Sequence, residues 1–193
     1  MALTLWGTPT SPYVRRTRVL ATELGVPFTL RNTNDPGVQD ELVAVCPTWK
    51  IPTVRFDDGR VLWDSAIIHD VLVAGSPGVI PALDLDGRLR IAAIDAGLDA
   101  AIALFYMKRD AVDLGVPYLV KQRARIDAAM TWVTDQVEVG RLGQALTLDT
   151  IALVTTLEWF KLRSAWPVQH AALIGVVDRW SGRPSFVGTR APG

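Results

Sequence analysis

Thr10-Ser11-Pro12-Tyr13-Val14-Arg15-Arg16 lies between a short alternating apolar segment and a longer periodic one, and the organisation of the first domain is read outward from it. Ser11-Pro12 joins a capping hydroxyl to a proline suited to the first helical position, which marks a helix start. Downstream, Thr17, Leu20, Ala21 and Leu24 fall on one helical face, and Gly25 supplies the stop. Upstream, Leu3-Thr4-Leu5-Trp6 alternates apolar and polar as a half-buried strand does, and residues 7–10 break that pattern. Residues 26–31 read as a second strand, 32–37 as a polar loop, and 38–45 as a short helix ending before Pro47. Residues 53–56 and 60–63 flank Asp57-Asp58-Gly59, a strong hairpin signal. Asp64-Ser65 then opens a helix running to about residue 73 and closed by Gly75. The order strand, helix, strand, helix, strand, strand, helix predicts a small mixed sheet with a right-handed crossover and helices over its faces.

Gly75-Ser76-Pro77-Gly78-Val79-Ile80-Pro81 is the natural linker, and the chain beyond it reads as helix. Ile91, Ile94, Leu98, Ile102 and Phe105 recur at steps of 3, 4, 4 and 3, and Ile126, Met130, Val133 and Val137 at 4, 3 and 4. Leu153, Leu157 and Phe160 continue the habit, as do Leu173, Val176, Val177 and Trp180. These are the seams of amphipathic helices in a bundle. The tail from Arg183, with Pro184, Gly188, Pro192 and Gly193, is expected to be irregular.

Composition narrows the function classes. The 193 residues are 49% hydrophobic and 21% charged, enough for a sizeable core. Basic and acidic residues balance at 20 each; a division near residue 78 leaves 7 and 8 before it, 13 and 12 after. Neither part has the basic excess of a nucleic-acid binder. The longest uninterrupted apolar run, residues 100–107, is too short for a bilayer, and the first residues lack the pattern of a secretion signal. A single cysteine, Cys46, excludes an internal disulfide and a CxxC pair, and with two distant histidines it offers no structural zinc set. A cytoplasmic globular protein without nucleic-acid or membrane partners is expected.

Three segments carry candidate chemistry. At Ser11 a helix start presents free N–H groups and the positive dipole end to an anion, and Arg15, Arg16 and Arg18 add positive potential. Taken alone, the segment reads first as a cap with solvated arginines. Lys50-Ile51-Pro52-Thr53 places a proline ahead of a strand; its peptide bond is trans by base rate, whereas a cis bond would offer the Ile51 backbone to a ligand. Asp64-Ser65 is either an N-cap or a second anion grip at a positive helix end.

In their order and spacing, Ser11-Pro12-Tyr13-Val14-Arg15-Arg16, the stretch 47–52 ending in Lys50-Ile51-Pro52, and Asp58-Gly59 with Leu62-Trp63-Asp64-Ser65 after it resemble the cytosolic glutathione S-transferase family. They look closest to the bacterial transferase-like proteins with a serine near the first helix. The resemblance spans essentially the whole chain. It implies an α/β, thioredoxin-like domain with a mixed four-stranded sheet (1–75), a linker (76–84) and an all-α helical bundle (85–193). By this likeness Ser11 would hydrogen-bond the glutathione sulfur and favour its thiolate. Pro52 would be cis, Ile51 would pair through its backbone with the cysteinyl unit, Asp64 and Ser65 would bind the γ-glutamyl end, and Lys50 the glycyl carboxylate. Thr10, Tyr106 and Met107 would line an apolar pocket for a small electrophile. Glutathione would be the cosubstrate, with no metal, and the protein a homodimer.

The chain departs from the family pattern in two places. Asn-Pro-x-Gly-Lys-x-Pro becomes Cys46-Pro47-Thr48-Trp49-Lys50-Ile51-Pro52, where Trp49 either narrows the groove or stacks on a ligand and Cys46 reads as a buried structural thiol. In the second domain Thr147 keeps a helix cap, but Thr150 stands where an aspartate is usual. The second departure bears on folding detail, whereas Trp49 and the altered positions beside it keep a second class open, a non-catalytic transferase-like binding or interaction module. His69 and His170 read as surface or packing residues. Conjugating, peroxidase, isomerase and dehalogenating chemistries all remain compatible with the sequence.

Overall fold

Alternation in Leu3-Thr4-Leu5-Trp6 produces strand β1 (Leu3–Trp6), a central strand of a four-stranded sheet. The computed structural model describes residues 2–191 and forms two compact units, one ending at Ala82 and resumed at Gly182, the other Leu83–Ser181. In the first unit, β1 is followed by α1 (Pro12–Glu23), β2 (Phe28–Arg31), α2 (Val38–Val45), β3 (Thr53–Phe56), β4 (Val61–Trp63) and α3 (Ser65–Ala74). Strand order is β2-β1-β3-β4; β1 runs parallel to β2, and the other neighbours are antiparallel.

Register positions the site. Trp6 lies opposite Arg31 on one side and Thr53 on the other, and Thr53 lies opposite Trp63. The last residues of β1, β2 and β4 and the first of β3 therefore form one row across the sheet. The segments leaving β1, entering β3 and leaving β4 all emerge at that end.

Local chemistry explains the boundaries. Helix α1 ends in a Schellman turn: Gly25 at φ +65° donates to the Thr22 carbonyl (3.1 Å) and Val26 N–H to that of Ala21 (2.8 Å). Using Val26 in this cap delays β2 to Phe28, two residues later than the sequence pattern predicts. Leu5 and Trp6 are both buried and point to opposite faces. Trp6 packs with Val38, Leu42 and Cys46, so α2 covers its face, while α1 packs against α3. Leu5, Val14, Leu20, Val54, Ile68 and Leu72 are fully buried, each contributing roughly 1.5–3 kcal/mol of transfer free energy.

The tail departs from expectation. Pro184–Val187 forms the short helix α8, which packs on α1 and buries Phe186 completely. Arg15 Nη2 donates to the Phe186 carbonyl (3.3 Å) and Arg18 Nη1 to that of Thr189 (3.2 Å), while Arg183 pairs with Glu23 at 2.8 Å. Arg15 and Arg16 are thus buried rather than solvated, and residues from Gly182 group with the first unit instead of the helical one. Four residues are too few to show helical periodicity, and their carbonyls find the α1 arginines only across some 170 positions of chain.

In the second unit, α4 (Leu85–Arg109), α5 (Pro117–Glu138), α6 (Leu148–Arg163) and α7 (Ala171–Trp180) pack as a bundle in which α4 contacts α5 and α6, and α7 contacts α5 and α6. Ile94, Leu98, Ile126, Met130, Val133, Leu153, Leu157, Phe160 and Leu173, all on the predicted seams, are fully buried. Helix α6 is buried at every position from Leu148 through Leu157, its buried threonines and Asp149 included. Its start corrects the cap expectation: Thr147 makes no side-chain bond to a first-turn amide, and Asp149 instead accepts the Thr150 N–H (3.0 Å). Among the described residues no helix is long and apolar enough to cross a membrane.

Candidate functional site

At the end of the sheet where the three segments emerge, Ser11 caps α1 with extended backbone (φ −71°, ψ 127°), and its Oγ accepts the Val14 N–H at 3.4 Å. The cap is long, and the hydroxyl proton is donated to nothing among the described residues. Capping and donation use different parts of the group, because a hydroxyl has two lone pairs and one proton. Gly7 makes this placement possible: a Cβ there would lie 2.3 Å from Val14 Cγ2, so only glycine lets the loop pass against the first turn of α1. Thr10, beside Ser11, is half-buried and bonds Thr8 at 3.5 Å.

The residues entering β3 form the second part. The Ile51-Pro52 bond is cis, the geometry that the resemblance implied. Neither the Ile51 N–H nor its carbonyl has a hydrogen-bond partner among the described residues. The carbonyl of Lys50 is held from beneath by Thr53 Oγ1 (2.7 Å), and its ammonium has no acidic partner among them. Cys46 lies under this turn, wholly buried against Trp6 and Leu42, with Sγ 3.3 Å from Thr48 Oγ1. Burial opposes ionisation of this thiol, hydrogen bonds with Thr48 and Thr53 favour it, and the balance lies below the usual thiol value. The Thr53 support was not legible in the sequence, since a threonine in a β-branched strand already has a sufficient local reason.

Trp49 precedes Lys50, 61% exposed as a residue and with its backbone left-handed at φ +55°. For an L residue that conformation costs roughly 1–2 kcal/mol. Asp64 is also left-handed (φ +67°), so two of the four non-glycine residues in this region of φ among the described residues flank the same end of the sheet.

Asp64 is the N-cap of α3: Oδ1 accepts the Ala66 N–H at 2.9 Å, and Oδ2 has no partner among the described residues. Ser65 opens the helix half-buried, its hydroxyl uncommitted among those residues and its N–H one of the orphan first-turn donors. Two helix N-termini and one lysine thus lie around one end of the sheet; Asp64 caps the α3 terminus, whereas the first turn of α1 holds no acid and Lys50 has no acidic partner among the described residues, an arrangement that favours an anionic ligand.

His69, expected as a surface or packing residue, ties the two helices together. Its Nε2 lies 3.0 Å from Thr17 Oγ1, which in turn donates to the Tyr13 carbonyl (3.1 Å). With the one Thr17 proton so directed, Nε2–H is the donor to Thr17. Burial, with a further contribution from Arg16, holds the imidazole well below its usual pKa and therefore neutral. His170 is the N-cap of α7, its Nδ1 accepting from the Ala172 N–H at 3.3 Å.

Tyr106 and Met107, the electrophile-pocket candidates, lie near the end of α4 in the second unit. Tyr106 is exposed, with the Arg109 guanidinium 4.7 Å from its ring centre and the Phe105 ring edge-on at 5.5 Å. Met107 is half-buried.

Residues 10–74 match the family model of the glutathione S-transferase N-terminal domain. A glutathione S-transferase from Methylobacterium radiotolerans, solved in complex with glutathione sulfonate, is similar over 100% of this chain and 97% of its own, with a TM-score of 0.85 at 25% identity. The chain has the glutathione transferase fold. A glutathione transferase family member from Pseudomonas fluorescens Pf-5, with bound glutathione, is 27% identical at a TM-score of 0.81 and covers 99% of this chain and 100% of that one. Among curated proteins, the uncharacterized GST-like protein YibF of Escherichia coli K12 is 26% identical over 199 residues, spanning 97% of this chain and 98% of its own. Within this fold, the Ser11, Ile51-Pro52 and Asp64-Ser65 segments all fall in the unit that carries the family match.

Proposed function

We propose that the protein is a serine-type glutathione transferase that conjugates glutathione to small hydrophobic electrophiles. The observation that carries the reading is the common end of the sheet, where the Ser11 hydroxyl proton, the Ile51 backbone, the Lys50 ammonium, the Ser65 hydroxyl and Asp64 Oδ2 are all uncommitted among the described residues. Glutathione is an anionic peptide with an α-ammonium group, a thiol and two carboxylates, and each has a chemical counterpart here. In this reading the γ-glutamyl carboxylate meets the Ser65 hydroxyl and N–H at the start of α3, and its ammonium meets the Asp64 carboxylate. The cysteinyl backbone pairs with Ile51 beside Pro52, and the glycyl carboxylate meets Lys50. Ser11 donates to the sulfur.

A free thiol with an ordinary pKa near 8.5 is mostly protonated at neutral pH, and the thiolate is the nucleophile. A donor aimed at sulfur stabilises the anion more than the thiol and so lowers that pKa. The thiol proton passes to solvent. The thiolate lone pair then forms a carbon–sulfur bond with the electrophile, while the leaving group departs with its electron pair, or an activated double bond accepts that pair in an addition. Thr10, Tyr106 and Met107 are the residues assigned to the electrophile, and the active species is assigned as a cytoplasmic homodimer.

Conjugation of glutathione to 1-chloro-2,4-dinitrobenzene tests the mechanism. Ser11→Ala is expected to lower kcat/KM roughly 10- to 100-fold, the loss of a charge-assisted hydrogen bond of about 1.5–3 kcal/mol. It should raise the pKa of the bound sulfur, read by thiolate absorbance, and leave the Kd for glutathione largely unchanged. Equal turnover by the variant removes Ser11 from the mechanism. Tight binding without turnover by the parent protein favours a non-catalytic binding module.

A further inference from the structure

The helical unit holds a group of rings and donors that the fold leaves unsatisfied. Phe105, near the end of α4, meets three neighbours: the Tyr106 ring edge-on with centres 5.5 Å apart, the Trp159 ring edge-on at 5.9 Å, and the Arg163 guanidinium 5.2 Å from its ring centre. Trp159 and Arg163 stand one turn apart on α6, so that helix turns both toward the same ring. Arg109 lies over Tyr106 but is already paired with Asp110 at 2.8 Å. Arg163 has no such partner: its Nε is enclosed, and the side chain makes no hydrogen bond or ion pair among the described residues.

The last turn of α6 gives a cation a local reason, since it complements the helix dipole, and Lys161 shares that turn. The dipole does not require the side chain to fold inward over Phe105, where an enclosed N–H without an acceptor costs stability. Trp159 repeats the pattern. Trp6, Trp166 and Trp180 donate their indole N–H to Glu41, Asp127 and the Gly143 carbonyl, whereas Trp159, only 6% exposed, donates to nothing among the described residues. Trp49 also donates to nothing among them, but it is exposed, where water serves.

We propose that Phe105, Trp159 and Arg163 form a subsite for an aromatic ring bearing a carboxylate, and that this is the chemical class of the electrophile. The electrophile class deepens the glutathione reading and rests on it; the subsite itself does not. The Phe105 and Tyr106 rings offer apolar surface against which a flat ring packs, and the guanidinium offers paired N–H donors that match a carboxylate. The Trp159 N–H adds a further donor. A neutral ring of the same size gains the packing but leaves the guanidinium unpaired, so the subsite discriminates by charge.

Two electrophiles test this with the full-length protein and glutathione, 4-chloro-3,5-dinitrobenzoate and the uncharged 1-chloro-2,4-dinitrobenzene. In both, the thiolate sulfur bonds to the ring carbon and chloride leaves with its electron pair. Arg163→Met keeps an unbranched chain and removes the charge. It is expected to lower kcat/KM for the benzoate about tenfold, mainly through KM, and that for the neutral substrate less than about threefold. Calorimetric titration with 3,5-dinitrobenzoate, which has no leaving group, reads the subsite without turnover, and the same variant should weaken that binding about tenfold. Equal losses on both substrates with a lowered Tm assign Arg163 to the fold and overturn the subsite. Benzoate binding that is absent in the parent, or unchanged in the variant, overturns it too and leaves the glutathione reading standing. Turnover of neither electrophile, with benzoate binding that depends on Arg163, overturns the glutathione reading and the electrophile class and supports the subsite.

Discussion

Asp64 and Asp149 both lie at the start of a helix, and the two acids do opposite things. Asp64 at the start of α3 is exposed, bonds one first-turn amide and leaves its second oxygen uncommitted among the described residues, on a left-handed backbone. Asp149 in the first turn of α6 is buried with both oxygens engaged: Oδ1 accepts from the Thr147 hydroxyl and the Thr150 N–H, and Oδ2 from Arg90 Nε at 2.6 Å. The first has an oxygen open to another group; the second has both oxygens engaged inside the fold. Residue type and position near a helix start are shared, so the distinction between a site and a strut lies in what the rest of the chain brings to the second oxygen.

Parallel Asp→Asn substitutions sharpen that contrast. Asp149→Asn leaves the Arg90 guanidinium, only 14% exposed, without its anion, and is expected to cost about 3–5 kcal/mol in denaturant unfolding. A loss below about 1 kcal/mol would break the comparison by showing the pair to be dispensable.

The next effect is a pH dependence at the bridge between α1 and α3. The folded pKa of His69 lies below its unfolded value near 6.5, so between the two the unfolded chain holds the extra proton. Stability is therefore full above about pH 6.5 and is lost as pH falls below it, by up to about 1.4 kcal/mol per pH unit. The carboxylates of Glu23, Glu41, Asp58 and Asp110 are depressed by hydrogen bonds and arginine partners and act in a separate, more acidic window. His69→Gln should flatten the slope between about pH 6.5 and 5; an unchanged slope would place the titrating group elsewhere.

Asp64→Asn should be the smallest in stability, within about 0.5 kcal/mol, because asparagine caps a helix as well as aspartate does. Its effect should appear in glutathione affinity instead, through the lost charge facing the peptide ammonium. A stability loss comparable to that of Asp149→Asn would make the two acids alike.

Much of the fold was legible because local punctuation is strong. Residues 38–45 and 53–56 take the predicted helix and strand to the residue, bounded by Pro47 and by Asp57-Asp58-Gly59. The site segments were legible in order and spacing, yet Ser11, Ile51 and Asp64 each allowed a purely structural account that the residue alone does not exclude. The features that escaped the sequence depend on distant partners: Thr53 beneath Lys50, His69 against Thr17, and the tail carbonyls against Arg15 and Arg18.

By itself the sequence determined the element order, the helix starts and stops and the two-part layout, because caps, turns and periodicity act within a few residues of chain. Only tertiary structure decided that Arg15 and Arg16 are buried, that the tail returns to the first unit, that Asp149 is consumed by Arg90, and that the Trp49 indole stays without a partner among the described residues. Those outcomes depend on which groups meet after the chain folds, and the separation between partners reaches 171 positions, far beyond the range of any local rule.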